Sequence, residues 1–252
     1  MGHLRNLLKK LSGADDGFSY DFYKNGEYDL IKKVSRLKFN TIFDVGSNLN
    51  KWTLIANKFF PEANIHSFEI SETCFVKSKI DPVNEKIIQN NFGLGDINGS
   101  IEYKDYGTNS QINTTILESN FHDNGSTIYE LKKTNIETGN KYCKKNNINF
   151  IDFLKIDTEG SEHLVINGFL DILDREAVRL IQFEYGYANG DAKFLMKDFF
   201  NFFEKKNYIV AKLRKKIKFK VWDYSFNDFK SGPNYIAIRK NDTEIKSILE
   251  NS

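Results

Sequence analysis

Acidic side chains stand wherever an apolar run of this chain ends. "TIFDV" closes on Asp44-Val45 and runs into Gly46-Ser47-Asn48, and "NIHSFEI" closes on Glu69-Ile70-Ser71. "KIIQNNFGLGD" passes Asn91 and Gly93 to reach Asp96, "NFIDFLKIDTEG" closes on Asp157-Thr158-Glu159-Gly160, and "VRLIQFEY" closes on Glu184-Tyr185. Singly, such carboxylates commonly cap helices. Gathered on one edge, they could bind hydroxyls or a cation, or accept a proton. Gly46 has no Cβ, so its turn lets the backbone approach a ligand closely. The helix after it would present free N–H groups. A dinucleotide would lay its pyrophosphate there, in a turn with three glycines. "FDVGSNLNKW" has one glycine, and Asp44 would repel a diphosphate. Asp44 and Glu69 instead suit a ligand that is cationic and carries a ribose diol, which an acid at the end of the second strand takes.

These groups meet only if the fold brings the strand ends together. "EYDLIKKVSRLKF" (27–39) sets Leu30, Ile31, Val34 and Leu37 at helical spacing. Residues 41–45, 64–70, part of 86–95, 149–157 and 178–185 read as strands. Residues 52–60, "CFVKSKI" up to Pro82, "IETGNKYCKKN", "SEHLVINGFLDIL" and "KFLMKDFFNFFEKKN" read as helices. "YIVAKL", "KIKFKVW" and "NYIAIRK" close the chain as strands, at least one of them antiparallel. Residues 100–130 alternate between Asn, Ser and Gly clusters and read as a loop or hairpin insertion. Alternating strands and helices give a mostly parallel sheet covered on both faces, and such sheets bind ligands at the carboxyl ends of their strands.

Composition narrows the function classes. Hydrophobic residues make up 40% and aromatic residues 14%, enough for the core of one α/β domain with insertions. A net charge of +2 gives no global push toward nucleic acid or membrane, so no nucleic-acid partner is expected. No apolar stretch approaches the ~20 residues of a membrane span, and "MGHLRNLLKKL" carries charges on both sides of its short apolar run, unlike a signal peptide. Two cysteines, Cys74 and Cys143, make no disulfide framework and suit a reducing, cytoplasmic location. His3, His66, His122 and His163 lack metal-ligand spacing. The clustered acids could hold Mg²⁺ together with substrate oxygens, but no metal is expected.

"FDVGSNLNKWT", "HSFEI", "NNFGLGDINGSIEY", "IDFLKIDTEGSEHLVINGF" and "IQFEY" together resemble the FkbM family of S-adenosylmethionine-dependent methyltransferases. The resemblance spans about residues 40–186, and "NYIAI" resembles the family's closing strand. "LKIDTEGSE" is the most specific piece, similar to the family's K-I-D-x-E-G-x-E signature. The resemblance implies an α/β, Rossmann-like class I methyltransferase fold, with a mostly parallel seven-stranded sheet, an antiparallel C-terminal strand and helices on both faces. It implies an N-terminal helical segment over 1–40, a methyltransferase domain over 41–240 with the insertion at about 100–130, and a tail over 241–252. S-adenosylmethionine also meets the demands of the turn, being a cation with a ribose diol and a carboxylate.

The family's roles carry over by position. Gly46 and the Ser47–Asn48 backbone line the methionine part, beside Asp44. Glu69 binds the ribose hydroxyls, followed by Ile70 and Ser71, and Asn91 leads toward Asp96, which meets the adenine amino group. Asp157, Glu159 and Glu162 fall on the signature acids near the transferred methyl. Asp157 and Glu159 are the candidate bases, and Glu162 reads mainly as structural. His163 is a further candidate base, at a position the motif leaves open. The family usually reads D-V-G-A-N-x-G, whereas this chain has Ser47 for the alanine and Asn50 for the last glycine. Asn tolerates positive φ better than most residues, so the turn survives with a polar side chain near the methionine end.

The implied reaction is O-methylation of a sugar or glycan hydroxyl, as in a surface polysaccharide or glycolipid. The alternatives are a small-molecule natural product, RNA or protein as acceptor, or a non-catalytic glycan-binding relative. "DTEG" stands where base N-methyltransferases carry a D/N-P-P-Y type loop, which counts against nucleobase chemistry. The insertion, rich in Asn, Ser, Thr and Tyr, suits hydrogen bonding to a sugar. "KLRKKIKFKVW" (212–222) reads as a half-exposed strand with a lysine face.

Overall fold

The computed structural model of the chain describes residues 19–80, 85–119, 128–213 and 233–250. His3, His122, the first apolar run and most of the 212–222 basic stretch lie outside the described residues. A seven-stranded sheet runs in the order β3 (Ile87–Asn90), β2 (Asn64–Phe68), β1 (Thr41–Val45), β7 (Ile151–Ile156), β8 (Val178–Glu184), β10 (Asn234–Arg239), β9 (Tyr208–Lys212). Its neighbours are parallel except at β10, which is antiparallel to both β8 and β9. This is the sheet the sequence implies.

The strands are continuous apolar runs because both faces are covered. Ile42, Phe153, Leu180 and Ile236 point into one core, with α1 (Glu27–Val34), α2 (Lys51–Phe59) and α9 (Thr243–Glu250). Their neighbours Phe43, Leu154, Ile181 and Ala237 point into the other. That second core holds α4 (Gly139–Lys145), α5 (Glu162–Asn167), α6 (Leu170–Asp174), and α8 (Met196–Lys205), reached after the short α7 (Tyr187–Asp191), while α3 (Glu72–Lys77) follows β2 and buries Cys74. A strand side chain alternates faces at each residue, so neither face can spare a polar run.

Three expectations are refined. The segment 86–95 is two strands in different sheets: β3 joins the main sheet, and β4 (Gly93–Gly95) pairs with β6 (Glu130–Thr138), which also pairs antiparallel with β5 (Gly99–Asp105). The break falls at Asn91, whose side chain donates to the Glu69 carbonyl at 2.9 Å. "SEHLVINGFLDIL" is two helices rather than one. They part at Gly168, where a Cβ would lie 2.0 Å from the Gly95 carbonyl oxygen, so the chain bends to let two backbones touch. Residues 241–252, expected as a tail, carry α9, whose Ile245 and Leu249 are fully buried. No helix among the described residues is long and apolar enough to cross a membrane.

Candidate active site

A cavity of about 1150 Å³ opens at the carboxyl ends of the central strands. Its wall includes Gly46, Ser47, Asn48, Glu69, Ile70, Asp96, Asp157 and Glu159 of the expected site. Asp44, Asn50, Ser71, Asn91 and His163 stand behind that wall. Each has an identifiable structural task.

The turn after β1 is held from beneath. The N–H groups of Gly46 and Ser47 both donate to the Phe68 carbonyl at 3.0 Å. Gly46 has φ +80°, and Asn48 and Asn50 lie at +48° and +55°. Asn50 therefore takes the left-handed angle of the glycine it replaces, as expected. Its amide does not face the cavity but donates to the Ser78 carbonyl and hydroxyl at 3.1 and 3.0 Å, tying the turn to the end of α3. Asn50→Gly keeps the backbone angle and loses only these bonds, worth ~1 kcal/mol each. Calorimetry should give a cofactor affinity within a few-fold of wild type; a collapse would place the side chain on the ligand.

Glu69 accepts from the Asn48 N–H at 2.7 Å and the Ser71 N–H at 2.8 Å, one to each oxygen. Ser71 in turn caps α3. A carboxylate offers about four acceptor positions, which leaves Glu69 capacity for a diol on its cavity side. Burial pushes its carboxyl up to about 7, although both N–H groups hold it down. A diol that donates to the carboxylate binds the ionised form. Cofactor affinity should therefore be constant above pH 7 and fall below it, and Glu69→Ala should weaken binding by ~10-fold or more and remove that slope. For the free protein the sign is opposite. A carboxyl raised on folding contributes stability at low pH that is lost as pH rises from the ordinary carboxylate range through about 7. Calorimetry across pH checks both; unchanged affinity on removing Glu69 would leave it a cap alone.

The floor is built on a buried cation. Asp44, Lys155 and Gln182 are register partners on β1, β7 and β8, on the face that carries α1. Lys155 Nζ lies 3.0 Å from Asp44 Oδ1 and 3.3 Å from Asp157 Oδ2. Asp44 also accepts from the Thr53 hydroxyl at 2.6 Å. Asp44 is thus the counter-ion of Lys155 rather than a ligand contact. Burial pulls the Lys155 ammonium down, but Asp44, Asp157 and Glu27 outweigh it and hold it above its ordinary value. Burial likewise pushes Asp157 up, yet Lys155 carries it below the usual carboxylate range. Glu159 and Glu184 go the other way, raised well above that range by burial and then by the Asp157 charge. One carboxylate is thus favoured in its charged form beside two neighbours whose charged forms are disfavoured. Oxygens of Asp157, Glu159 and Glu184 lie within 4.8 Å of one another, a spacing that could also admit a divalent cation with substrate oxygens.

The "DTEGSE" turn is clasped by Glu162. Its buried carboxylate accepts from the Thr158 N–H at 2.8 Å, the Gly160 N–H at 3.1 Å and the Asn189 amide at 2.5 Å. Asn189 Oδ1 accepts from the Gly186 N–H at 2.7 Å. Glu162 therefore locks the turns after β7 and β8 to each other, the structural role expected of it. The backbone inside this clasp is strained, with Glu159 at φ +52°. Thr114 of the insertion donates to the Glu159 carbonyl at 2.7 Å, and Gln111, Asn113 and Thr115 join the cavity wall. His163 is half-buried and stacks on Phe194, with ring centroids 4.7 Å apart. Burial pushes its imidazole below the ordinary value.

Among the wall residues not assigned from sequence are Lys155, Glu184, Glu27 and Asn234. A lone lysine inside "IDFLKI" was a usable signal, because a charge in a two-sided apolar strand must have a buried partner. Glu184 was visible as a strand-end acid. Glu27 and Asn234 gave no local signal. Glu27 accepts from Asn25 at 2.5 Å, Gln182 at 2.7 Å and Asn234 at 3.3 Å, contacts that join distant parts of the chain.

The donor set fits S-adenosylmethionine: a carboxylate for a diol, a glycine turn, an acidic floor for a cation. Residues 44–210 of the 252 match the methyltransferase FkbM domain. No curated protein sequence matches the chain. Among solved structures, methyltransferase FkbM from Methylobacillus flagellatus KT is similar at 11% identity and a TM-score of 0.47, over 79% of this chain and 43% of its own. This chain thus spans under half the length of that protein. The O-methyltransferase from Bacillus cereus in complex with SAH is similar at 9% identity and 0.46, over 93% and 88%. TomG, an O-methyltransferase from Streptomyces achromogenes in complex with SAM, is similar at 6% and 0.45, over 86% and 81%. The family match covers well over half of the sequence, and the chain belongs to the FkbM family of methyltransferases, with S-adenosylmethionine as methyl donor.

Proposed function

We propose that the protein is an O-methyltransferase acting on a hydroxyl of a sugar or glycan. The observation that carries this reading is the ionised Asp157 beside Lys155, at the cavity floor where the strand ends meet. S-adenosylmethionine supplies an electrophilic methyl on a sulfonium that leaves readily. The chain's own residues align the acceptor, exclude water and take its proton. Asp157 is the acceptor for that proton, held rigidly at a strand end, and a positioned base contributes typically ~10²–10⁴-fold. Alignment can supply ~7–11 kcal/mol, and the clasp at Glu162 fixes the frame in which it occurs. The amide and hydroxyl groups of Gln111, Asn113, Thr115, Asn25 and Asn234 in the wall suit a polyhydroxylated acceptor. Both cysteines are buried free thiols, in keeping with a cytoplasmic site of action. No metal is invoked.

The test is incubation with methyl-labelled S-adenosylmethionine and a panel of sugar nucleotides, oligosaccharides and glycolipids, with and without chelator, read by mass spectrometry. Label on a sugar oxygen supports the reading. Label confined to another small molecule, RNA or protein overturns the acceptor class. Cofactor binding with no transfer to any member points to a glycan-binding relative.

A further inference from the structure

The insertion reaches the "DTEGSE" turn through side chains. Thr114 is 1% exposed. Its hydroxyl donates to the Glu159 carbonyl at 2.7 Å and accepts from the Ile116 N–H at 3.1 Å. A hydroxyl has one proton to give, so that of Thr114 is committed to Glu159. One residue on, the Thr115 hydroxyl meets that of Ser161. Further on, the Ser119 hydroxyl donates to Asp191 of α7 at 2.6 Å. This strap is backed by β5. The Lys104 N–H donates to the Thr114 carbonyl at 2.9 Å, and Lys104 Nζ to the Ser119 carbonyl at 2.8 Å.

Thr114 grips one end of a peptide unit that lies between two left-handed residues. The carbonyl belongs to Glu159, at φ +52°, and the N–H to Gly160, at φ +106°. A positive φ is uncommon for a residue such as glutamate. Strain of this kind persists where the surroundings enforce it, and it gathers at functional sites. The N–H end is held from within the turn, by the Glu162 carboxylate at 3.1 Å. The carbonyl end is held by Thr114, from 45 residues away in sequence. With both ends fixed the peptide cannot rotate. Oxygens of Glu159, Asp157 and Glu184 are then kept within 4.8 Å of one another. Glycine or asparagine would take the backbone angle of Glu159 with less strain, so the turn carries a carboxyl group at the expense of its own comfort.

We propose that Thr114 is a positioning residue for methyl transfer: its hydroxyl fixes the Glu159–Gly160 peptide and thereby aims the Glu159 carboxyl at the acceptor beside Asp157. The proposal rests on the reading of this acidic floor as the place of transfer. The same strap lines the cavity with Gln111, Asn113 and Thr115. The wall that meets the acceptor and the grip on the turn beneath it are therefore one piece of chain. Cofactor binding is built elsewhere, at Gly46 and Glu69, so Thr114 acts on turnover rather than on cofactor affinity.

Three variants of the whole chain test this. Thr114→Val keeps the shape and removes the hydroxyl. It should lower kcat by ~10-fold or more, since a misplacement of ~1 Å can cost ~10²-fold, and leave S-adenosylhomocysteine affinity within about twofold by calorimetry. Thr114→Ser restores the hydroxyl and should bring kcat back to within about threefold of wild type. Wild-type kcat in Thr114→Val with a lowered melting temperature would make Thr114 a strut of the fold. A matching loss of S-adenosylhomocysteine affinity would place its effect on the cofactor side, and a serine variant as slow as the valine would credit the methyl group rather than the hydroxyl. Each of these overturns the proposal. Should Thr114→Val not fold, Thr114→Cys, close in size and only a weak donor, replaces it with the same outcomes. One measurement needs no acceptor. The nuclear magnetic resonance signals of the Glu159 and Gly160 amides should shift in Thr114→Val and return in Thr114→Ser, and signals that stay in place refute the grip. If no acceptor of any class is methylated, the transferase reading falls, and these signals still decide whether Thr114 sets the turn.

Discussion

Gly46→Ala is expected to abolish cofactor binding and to lower the melting temperature by several degrees or more. A Cβ at this position would lie 1.8 Å from the Asp157 carbonyl oxygen and 2.8 Å from its carbon. Both are backbone atoms, so no rotamer change relieves the contact. The backbone angle adds its own penalty, because φ is +80° and a side chain in left-handed space costs ~1–2 kcal/mol. Overpacking typically adds ~1–3 kcal/mol. The alanine can be housed only if the turn after β1 retreats from the end of β7, and that separation pulls Asn48 from Glu69 and Asp157 from Lys155. Thermal unfolding with calorimetry on the folded fraction checks it. A variant that melts and binds like wild type would show that the turn moves freely, contrary to its hydrogen bonds from below.

The second large effect separates binding from chemistry. Asp157→Asn and Glu159→Gln keep size and most hydrogen-bonding capacity. At least one should hold cofactor affinity within a few-fold and lose transfer by ~10²-fold or more. Asp157 is the stronger choice, since it is the member that Lys155 keeps ionised. Glu159 is raised well above the usual carboxylate range by burial and by the Asp157 charge, so it holds its proton more tightly than Asp157 does. His163→Ala should do less, because the ring stacks on Phe194 outside the cavity wall. Single-turnover methylation at saturating cofactor, with the acceptor found by the panel, decides it. Wild-type rates for both amides together with a dead His163→Ala would replace the acid-centred mechanism with a histidine base.

Much of this was legible in the sequence, for physical reasons. Strands such as "TIFDV", "IDFLKI" and "VRLIQFE" stand out because a sheet covered on both faces admits few polar residues. Where polar residues do interrupt them, at Asp44 and Lys155, they pair with each other. A carboxylate at a strand end is visible to anyone counting strands, which is how Glu69, Asp96 and Asp157 were found. Direction is harder to read. Asp44 and Asp157 are both strand-end acids, yet the inward pleat of β1 turns Asp44 into the core. Asn50 showed its backbone angle through its residue type but not its partner, because Ser78 is brought near only by the end of α3. The break at Gly168 was hidden for the same reason. A glycine required by contact with Gly95 looks, in sequence, like any glycine a helix tolerates. Glu27 and Asn234 were beyond reach, since their polar cluster closes between the start of α1 and the start of β10.

The ion pair beneath the floor has a consequence for the medium in which the protein works. Dissolved salt screens exposed charges over about 8–10 Å at ordinary ionic strength, and it acts by placing counter-ions near them. The Lys155 side chain is 5% exposed and that of Asp44 is fully buried, so counter-ions approach the pair poorly. Charges on the surface, which govern how an acceptor first meets the protein, fade as salt rises. The Lys155–Asp44 pair does not, while Asp157, its side chain 35% exposed, feels part of the screening, so the chemistry at the floor should depend on salt far less than the first encounter with an acceptor does.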